Sequence, residues 1–162
     1  MTDIDDTSKA QEFRRITILA AASGGGHLRQ LLEVKEAFEQ NDLIVATTDV
    51  HQARVSGIND PVELLDYSQD TPLKMFRGLF EAFTLVFKVR PDMVISTGAA
   101  PGLLCLLCGR LMGAKTIWID SIANSERLSL SGRLASKFSH KTLTQWKHLA
   151  NGTHIEYWGS VF

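Results

Sequence analysis

The stretch ITILAAASGGGH, residues 16–27, decides the fold of this 162-residue chain. A hydrophobic run ends in small residues, three consecutive glycines follow, and His27 opens a segment with leucines at helical spacing. This order predicts a β-strand, a glycine turn and an α-helix. Glycines let a ligand approach the backbone closely, and amides at a helix start donate hydrogen bonds to a phosphate or a sugar. The turn lacks the third glycine of the dinucleotide-binding pattern G-x-G-x-x-G, so it does not indicate NAD.

Further short hydrophobic runs follow, and helical patterns separate most of them. The strands are predicted at residues 15–21, 43–47, 62–65, 93–96, 116–119, 142–144 and 155–158. This alternation predicts an α/β fold, a Rossmann-like parallel sheet with helices on both faces. Ligands of such sheets bind at the carboxyl ends of the strands. The site loops are therefore expected at residues 23–27, 48–49, 66–68, 97–102 and 120–127.

Length and charge narrow the class of protein. The chain is long enough for one domain, expected over residues 15–162, after a flexible polar tail over residues 1–14. Seventeen basic and eighteen acidic residues leave no global positive field, which argues against nucleic acid as a partner. The tail has no apolar core of signal-peptide length, which predicts a cytoplasmic protein. The histidines follow no ligand spacing, so neither a metal nor a cofactor is expected.

Cys105 and Cys108 form a C-x-x-C pattern, which raises a redox or zinc hypothesis. They lie in an apolar helical run with no second ligand pair, whereas zinc and thioredoxin sites lie at turns or exposed helix starts. We therefore expect two small buried core residues.

A second small-residue turn, STGAAPG at residues 96–102, follows a later strand. Its proline lies at a predicted helix start, and the turn again leaves amides free for a ligand. Two such turns at the same edge of the sheet predict the two sides of one phosphate-sized site. The alternative for each turn is close packing of strand and helix.

Residues 72–90 form an unusually apolar predicted helix. Its apolar arc carries four phenylalanines, and its cations lie on the remaining arc. Charged residues interrupt the segment too often for a transmembrane span. We expect the helix to lie on the membrane surface, with the aromatic side down and the cations toward anionic lipid. The predicted membrane contacts are Leu73, Lys74, Phe76, Arg77, Phe80, Phe83, Phe87 and Lys88. The alternative is a helix packed deeply against the sheet.

His27 has three possible roles. It could cap the helix, contact an acceptor, or act as a general base toward a sugar hydroxyl if a carboxylate or carbonyl orients its other ring nitrogen. The carboxylates at predicted strand ends are Asp49, Asp66 and Asp120, and the sequence does not choose among them.

With these motifs in order, the chain resembles the acceptor-binding half of a GT-B glycosyltransferase. The turn at residues 23–27, the turn at 98–102, the stretch IWIDSIANS at 117–125 and the basic helical stretch through Lys137 resemble the asparagine-linked glycosylation protein fourteen family. Bacterial exopolysaccharide proteins of the PssD type share this pattern. The N-terminal domain of the peptidoglycan transferase MurG is similar more distantly.

The resemblance implies half of a metal-independent inverting enzyme, inactive without its partner. This half would bind a polyprenyl-diphosphate-linked sugar at the cytoplasmic face of the membrane, as a peripheral protein. A separate small subunit would bind the co-substrate, a UDP-sugar. The acceptor contacts carried over are Ser23, Gly24, Gly25, Gly26, His27, Gly98, Ala99, Gly102, Asn124, Glu126 and Arg127. The family turn has a glycine before its small polar residue, whereas Ala22 precedes Ser23 here.

The sequence stops after a last predicted strand, where a single-chain GT-B enzyme would continue into its donor domain. A lone domain lacks the second wall of a transferase cleft. Trp158, Val161 and Phe162 are expected as exposed anchors for the donor subunit, unless they only finish an edge strand. A different class of function also stays open, a stand-alone Rossmann-like nucleotide-binding protein or oxidoreductase.

Overall fold

A computed structural model describes residues 14–66 and 72–161, and these form one parallel sheet with helices on both faces. The strands are β1 Thr17–Ala22, β2 Asp42–Thr47, β3 Val62–Glu63, β4 Met93–Gly98, β5 Lys115–Ile119, β6 Lys141–Thr144 and β7 Ile155–Tyr157. Their order across the sheet is β3-β2-β1-β4-β5-β6-β7, and every neighbouring pair is parallel. The predicted Rossmann-like fold and all seven strands are confirmed, while residues 1–13 of the tail predicted over residues 1–14 lie outside the described residues.

Helices follow the strands in the predicted alternation. They are α1 Gly26–Glu33, α2 Val50–Val55, α3 Pro72–Val89, α4 Ala99–Leu111 and α5 Leu130–Ala135, with short 3-10 helices at Lys35–Phe38 and Lys147–Leu149. Consecutive residues of β1 point to opposite faces, and both faces are buried. Leu19 packs among residues of α3, α4 and α5, whereas Ile18 packs with Leu28 of α1 on the other face. A central strand covered on both faces explains the continuous apolar run in the sequence.

Cys105 and Cys108 are free thiols buried in α4, which confirms the predicted core role. Burial raises the pKa of Cys105 to about 12, and burial also raises the pKa of Cys108. Both thiols are therefore protonated at neutral pH, and neither has the low pKa of a redox or zinc-binding cysteine.

Helix α3 packs on the sheet through small and branched residues and leaves its aromatic side bare. Ala82 and Val86 are buried. The outward phenylalanines are Phe76, Phe80, Phe83 and Phe87, exposed by 74%, 73%, 50% and 52%. The alternative of a deeply packed α3 is therefore wrong, because only the side of the helix with Ala82 and Val86 is buried in the core. The side chain of Leu73 lies outside the described residues.

The predicted cations of α3 are exposed beside this aromatic stripe. Arg77 and Lys88, with Phe80, line a groove of about 550 Å³ between α3 and the edge strand β3. Lys74 is exposed near the start of the helix. Within residues 14–66 and 72–161, no helix combines the length and apolar character needed to cross a bilayer.

Candidate functional site

The first glycine turn is fixed by the β2–α2 turn beside it. The amide of Gly24 donates to Oγ1 of Thr48 (2.9 Å), and the amide of Gly25 donates to Oε1 of Gln52 (2.7 Å). Gln52 also donates from Nε2 to the Gly25 carbonyl (3.2 Å). Neighbouring side chains therefore already accept from these two amides, so the free donors expected at the helix start are not those of Gly24 and Gly25. Gln52 was missed because a glutamine on a short helix resembles a solvent-facing residue.

The fold constrains the three glycines of this turn differently. Gly25 has a φ of +72°, which favours glycine, and a Cβ on Gly24 would lie 2.6 Å from Cβ of Asp49. Gly26, the first residue of α1, has open space around it, and an added Cβ would meet nothing within 4 Å. The fold therefore requires the first two glycines and does not require Gly26.

Helix α1 presents its amino terminus at this turn. The amide of Arg29 makes the first helical bond, to the Gly25 carbonyl (3.1 Å). The three preceding amides of the first helical turn, those of Gly26, His27 and Leu28, have no partner among the hydrogen bonds of the described chain. Together with the helix dipole, these donors favour an anion.

The second turn is formed where β4 passes directly into α4. Gly98 has a φ of +150°, and Ala99 follows in the left-handed region at a φ of +65°. The predicted helix-start proline, Pro101, lies in the first turn of α4. Gly102 is buried, and a Cβ there would lie 2.0 Å from Oγ of Ser96 and 2.9 Å from the Ala21 carbonyl. Gly102 thus allows close packing of helix and sheet, and its contact with an acceptor remains only a prediction.

His27 joins the two turns. Its Nδ1 lies 3.0 Å from the carbonyl oxygen of Thr97, and Oγ1 of Thr97 donates to the His27 carbonyl (2.7 Å). A Cβ on Gly98 would lie 2.1 Å from Nδ1 of His27, so the imidazole occupies the space that a side chain at residue 98 would need. The expectation that both turns form one site agrees with this contact.

The contact also fixes the tautomer of a neutral His27. A carbonyl oxygen only accepts, so Nδ1 carries the proton and Nε2 keeps its lone pair. In the described part of the chain no hydrogen bond engages Nε2. The orienting group is therefore the Thr97 carbonyl and none of the three carboxylates: Asp49 caps α2 by accepting from the Gln52 amide (2.8 Å), Asp120 is bonded elsewhere, and no hydrogen bond of the described residues joins Asp66 to His27.

The loop after β5 is organised around Asp120, which is 1% exposed. Its Oδ1 accepts from Nε1 of Trp118 (3.0 Å) and from Oγ of Ser129 (2.6 Å). Its Oδ2 accepts from the Ser129 amide (3.0 Å) and from Nδ2 of Asn124 (3.2 Å). The Asn124 amide group is thus directed inward, whereas Glu126 and Arg127 are exposed on the same loop. The hydrogen bonds of the described residues do not connect Glu126 or Arg127 to the glycine turns.

A buried pair of glutamines connects this loop to α1. Nε2 of Gln30 donates to Oγ of Ser121 (3.0 Å), and Oε1 of Gln30 accepts from the Ile122 amide (3.3 Å) and from Nε2 of Gln145 (2.6 Å). Gln30 is 4% exposed and Gln145 is 5% exposed. Neither residue could be predicted from the sequence, because a single glutamine in a helix or after a strand gives no signal of burial.

The predicted partner interface is only partly exposed. Trp158 is 64% exposed and donates from Nε1 to Oε2 of Glu156 (2.9 Å). Glu156 also accepts from Lys141, and the hydrogen bonds from Lys141 and Trp158 lower the pKa of Glu156. Val161 is half-buried, which corrects its expected exposure, because its amide donates to Oε1 of Gln145 (3.1 Å) and ties it to the domain. Phe162 lies outside the described residues, as do residues 67 and 68 of the predicted loop 66–68.

Metal chemistry has no evident ligand set here. Within the described ranges, no three His, Cys, Asp or Glu side chains come together in a way that could hold an ion.

The parallel sheet, with two helix amino termini at its carboxyl edge, is the fold of the N-terminal half of a GT-B glycosyltransferase. The chain superimposes on 45% of the MurG chain of Acinetobacter baumannii with a TM-score of 0.72, over 89% of its own length at 14% identity. Residues 63–161 match the family model "Oligosaccharide biosynthesis protein Alg14 like". The chain belongs to this family, as its motifs had indicated.

Two curated relatives have the same name, "UDP-N-acetylglucosamine transferase subunit ALG14". The human protein is 26% identical over 83% of this chain and 77% of its own length. The Candida albicans protein is 31% identical over 57% of this chain and 45% of its own length. The chain therefore spans about three quarters of the first relative and less than half of the second.

Proposed function

We propose that this chain is the acceptor-binding subunit of a two-component, UDP-sugar-dependent glycosyltransferase. The observation that carries the proposal is the His27 imidazole, which joins the amino-terminal turns of α1 and α4. The names of the two relatives, each a transferase subunit, support the assignment. The acceptor would be a polyprenyl-diphosphate-linked sugar of lipid-linked oligosaccharide or exopolysaccharide synthesis.

The diphosphate of the acceptor would bind at the two helix amino termini. β1 and β4 are paired neighbours, so the helices that follow them begin side by side at the carboxyl edge of the sheet. The amides of Gly26, His27 and Leu28 provide donors from α1, and Ala99 and Ala100 provide them from α4. Ser23, half-buried beside the first turn, would contribute a hydroxyl. Arg127 would approach the acceptor from the loop after β5.

His27 would receive the proton in the transfer. The acceptor hydroxyl oxygen forms a bond to the anomeric carbon of the UDP-sugar, and the bond from that carbon to the diphosphate oxygen breaks. UDP leaves with the electron pair, and the hydroxyl proton passes to Nε2 of His27. A single displacement of this kind inverts the anomeric centre, and it uses no metal or other cofactor. The Thr97 carbonyl accepts from Nδ1, which would leave the lone pair of Nε2 for the acceptor hydroxyl.

Helix α3 would place the domain on the cytoplasmic face of the membrane. Its exposed phenylalanine stripe provides apolar surface, and Lys74, Arg77 and Lys88 provide positive charge beside it. Because α3 precedes β4, its amino-terminal end lies at the carboxyl edge of the sheet, the edge that carries His27. A lipid-linked acceptor held at that edge would therefore keep its chain close to Phe76 and Phe80.

The donor subunit would bind at the C-terminal end of the described chain. Trp158 is the exposed anchor there, preorganised by Glu156 and by Lys141, whose Nζ lies 5.8 Å from the indole centroid. The nucleotide of the UDP-sugar would be bound mainly by that subunit. A stand-alone nucleotide-binding protein remains the competing function, and no contact in the described chain favours it.

The direct test is reconstitution with a donor-binding subunit on vesicles that contain a polyprenyl-diphosphate-linked sugar. We expect sugar transfer only when both subunits are present, and no binding of UDP or NAD by this chain alone in calorimetry. Tight binding of NAD or NADP by the isolated chain would contradict the proposal and support the oxidoreductase.

Membrane attachment is tested separately by vesicle sedimentation with anionic lipid. Loss of two exposed aromatic rings in a Phe76→Ser/Phe80→Ser variant is expected to weaken binding at least about tenfold. Val55→Ser is the matched control, because Val55 is 75% exposed on α2 and belongs to no aromatic stripe. Equal binding of the double variant and the control would contradict membrane attachment through α3.

A further inference from the structure

The C-terminal segment, residues 158–161, is connected to the loop after β5 by buried amide groups. Gln145, the residue after β6, accepts at Oε1 from the Val161 amide (3.1 Å) and from Oγ of Ser160 (3.4 Å). Its Nε2 donates to Oε1 of Gln30 (2.6 Å) and to the Asp120 carbonyl (3.1 Å). Both ends of one side chain are therefore fully used, one end toward the segment and the other toward α1 and the loop.

Gln30 continues the connection on the far side. It lies on α1 less than one turn after His27, and it accepts from the Ile122 amide while it donates to Ser121. Ser121 in turn accepts from the Ala123 amide (3.3 Å). The Val161 amide is thus connected to residues 121–123 by hydrogen bonds through the side chains of Gln145 and Gln30.

We propose that Gln145 and Gln30 are positioning residues that couple the C-terminal segment to the loop at residues 121–127. This coupling rests on the proposed function, in which the segment binds the donor subunit and the loop faces the acceptor. Binding of the donor subunit would then set the acceptor loop before transfer occurs. Burial makes the coupling strong, because a buried amide that loses one partner finds no water to replace it.

Hydrogen exchange of the full chain tests the coupling without reference to activity. Val161→Pro removes the amide hydrogen that Gln145 accepts, and Gln145→Met removes the connection itself. Each variant is expected to speed exchange of the amides in residues 121–127 about fivefold, the effect of one lost hydrogen bond. The combined variant is expected to exchange no faster than Gln145→Met alone, because both changes break one path.

Thr142→Val is the matched control for general destabilisation. Thr142 is 1% exposed on β6, the strand that Gln145 follows, and among the described residues its hydroxyl bonds only Ser139, away from the segment and the loop. We expect its loop exchange to stay within about twofold of the wild type. Additive effects of Val161→Pro and Gln145→Met, unchanged exchange in both, or an equal effect of the control would each overturn the coupling.

A kinetic readout separates positioning from structure in the reconstituted pair. Gln145→Met is expected to raise KM for the lipid-linked acceptor about fivefold and to leave KM for the UDP-sugar unchanged. Equal increases in both KM values would contradict a role in positioning the loop. If the wild-type pair transfers no sugar, the proposed function fails, and the exchange experiment still decides whether the two regions are coupled.

Discussion

The two glycine turns of this domain look alike in sequence and serve different purposes. In the second turn, the helix and the imidazole of His27 leave no room for a Cβ at Gly102 or Gly98. In the first turn the fold requires Gly24 and Gly25, but a Cβ on Gly26, at the start of α1, would meet nothing within 4 Å. A glycine that the fold does not require is the stronger indication of a ligand, because the remaining reason for a bare backbone is the approach of another molecule.

The largest loss of stability is expected for Gly102→Ala. The new Cβ would lie 2.9 Å from the backbone oxygen of Ala21, which cannot move without shifting β1. Overpacking of this kind should lower the free energy of unfolding by about 2–3 kcal/mol, measured by urea denaturation. An unchanged unfolding midpoint would mean that close packing does not explain this glycine.

Gly98→Ala is expected to lower the free energy of unfolding by about 2 kcal/mol, from the backbone strain at φ +150° and from displacement of His27. The clash, unlike the strain, depends on the imidazole. In a His27→Ala background the same substitution should therefore cost about half as much. Equal costs in the two backgrounds would show that Gly98 and His27 are not packed as the structure has them.

Gly26→Ala is expected to have the smallest effect on folding and a clear effect on function. The free energy of unfolding should stay within about 1 kcal/mol of the wild type, since the methyl group meets no atom and reduces the entropy of the unfolded chain. Transfer by the reconstituted pair should fall about tenfold if the acceptor approaches this backbone. Full transfer activity would mean that the first turn only connects β1 to α1 and that the acceptor does not approach Gly26.

Much of the fold could be predicted from the sequence, and there is a physical reason why some site residues could not. The seven strands and the long helix α3 were predictable because hydrophobic periodicity is local. The partner of His27 was not, since a backbone carbonyl such as that of Thr97 has no signature in sequence. Gln52, Gln30 and Gln145 were missed for a related reason: their burial depends on distant neighbours, and polar side chains in amphipathic patterns indicate solvent.

The exposed aromatic side of α3, in contrast, could be predicted from the sequence. The width of its apolar arc exceeded what one face of a sheet can cover, and that mismatch was readable from the sequence. What the structure added is the orientation, with Ala82 and Val86 inward and the phenylalanines outward. The half-buried Val161 was not foreseeable, because its position depends on Gln145.

The central claim, that His27 acts on the acceptor at the junction of the two turns, is tested most directly by steady-state transfer with His27→Ala in the reconstituted pair. His154→Ala is the control, because His154 is exposed and precedes the amino-terminal end of β7, at the opposite edge of the sheet from His27. We predict that His27→Ala lowers kcat about 100-fold or more while the control keeps its activity. A raised KM for the acceptor at unchanged kcat would reduce His27 to an acceptor contact, and transfer within about threefold of the wild type in both parameters would contradict the account.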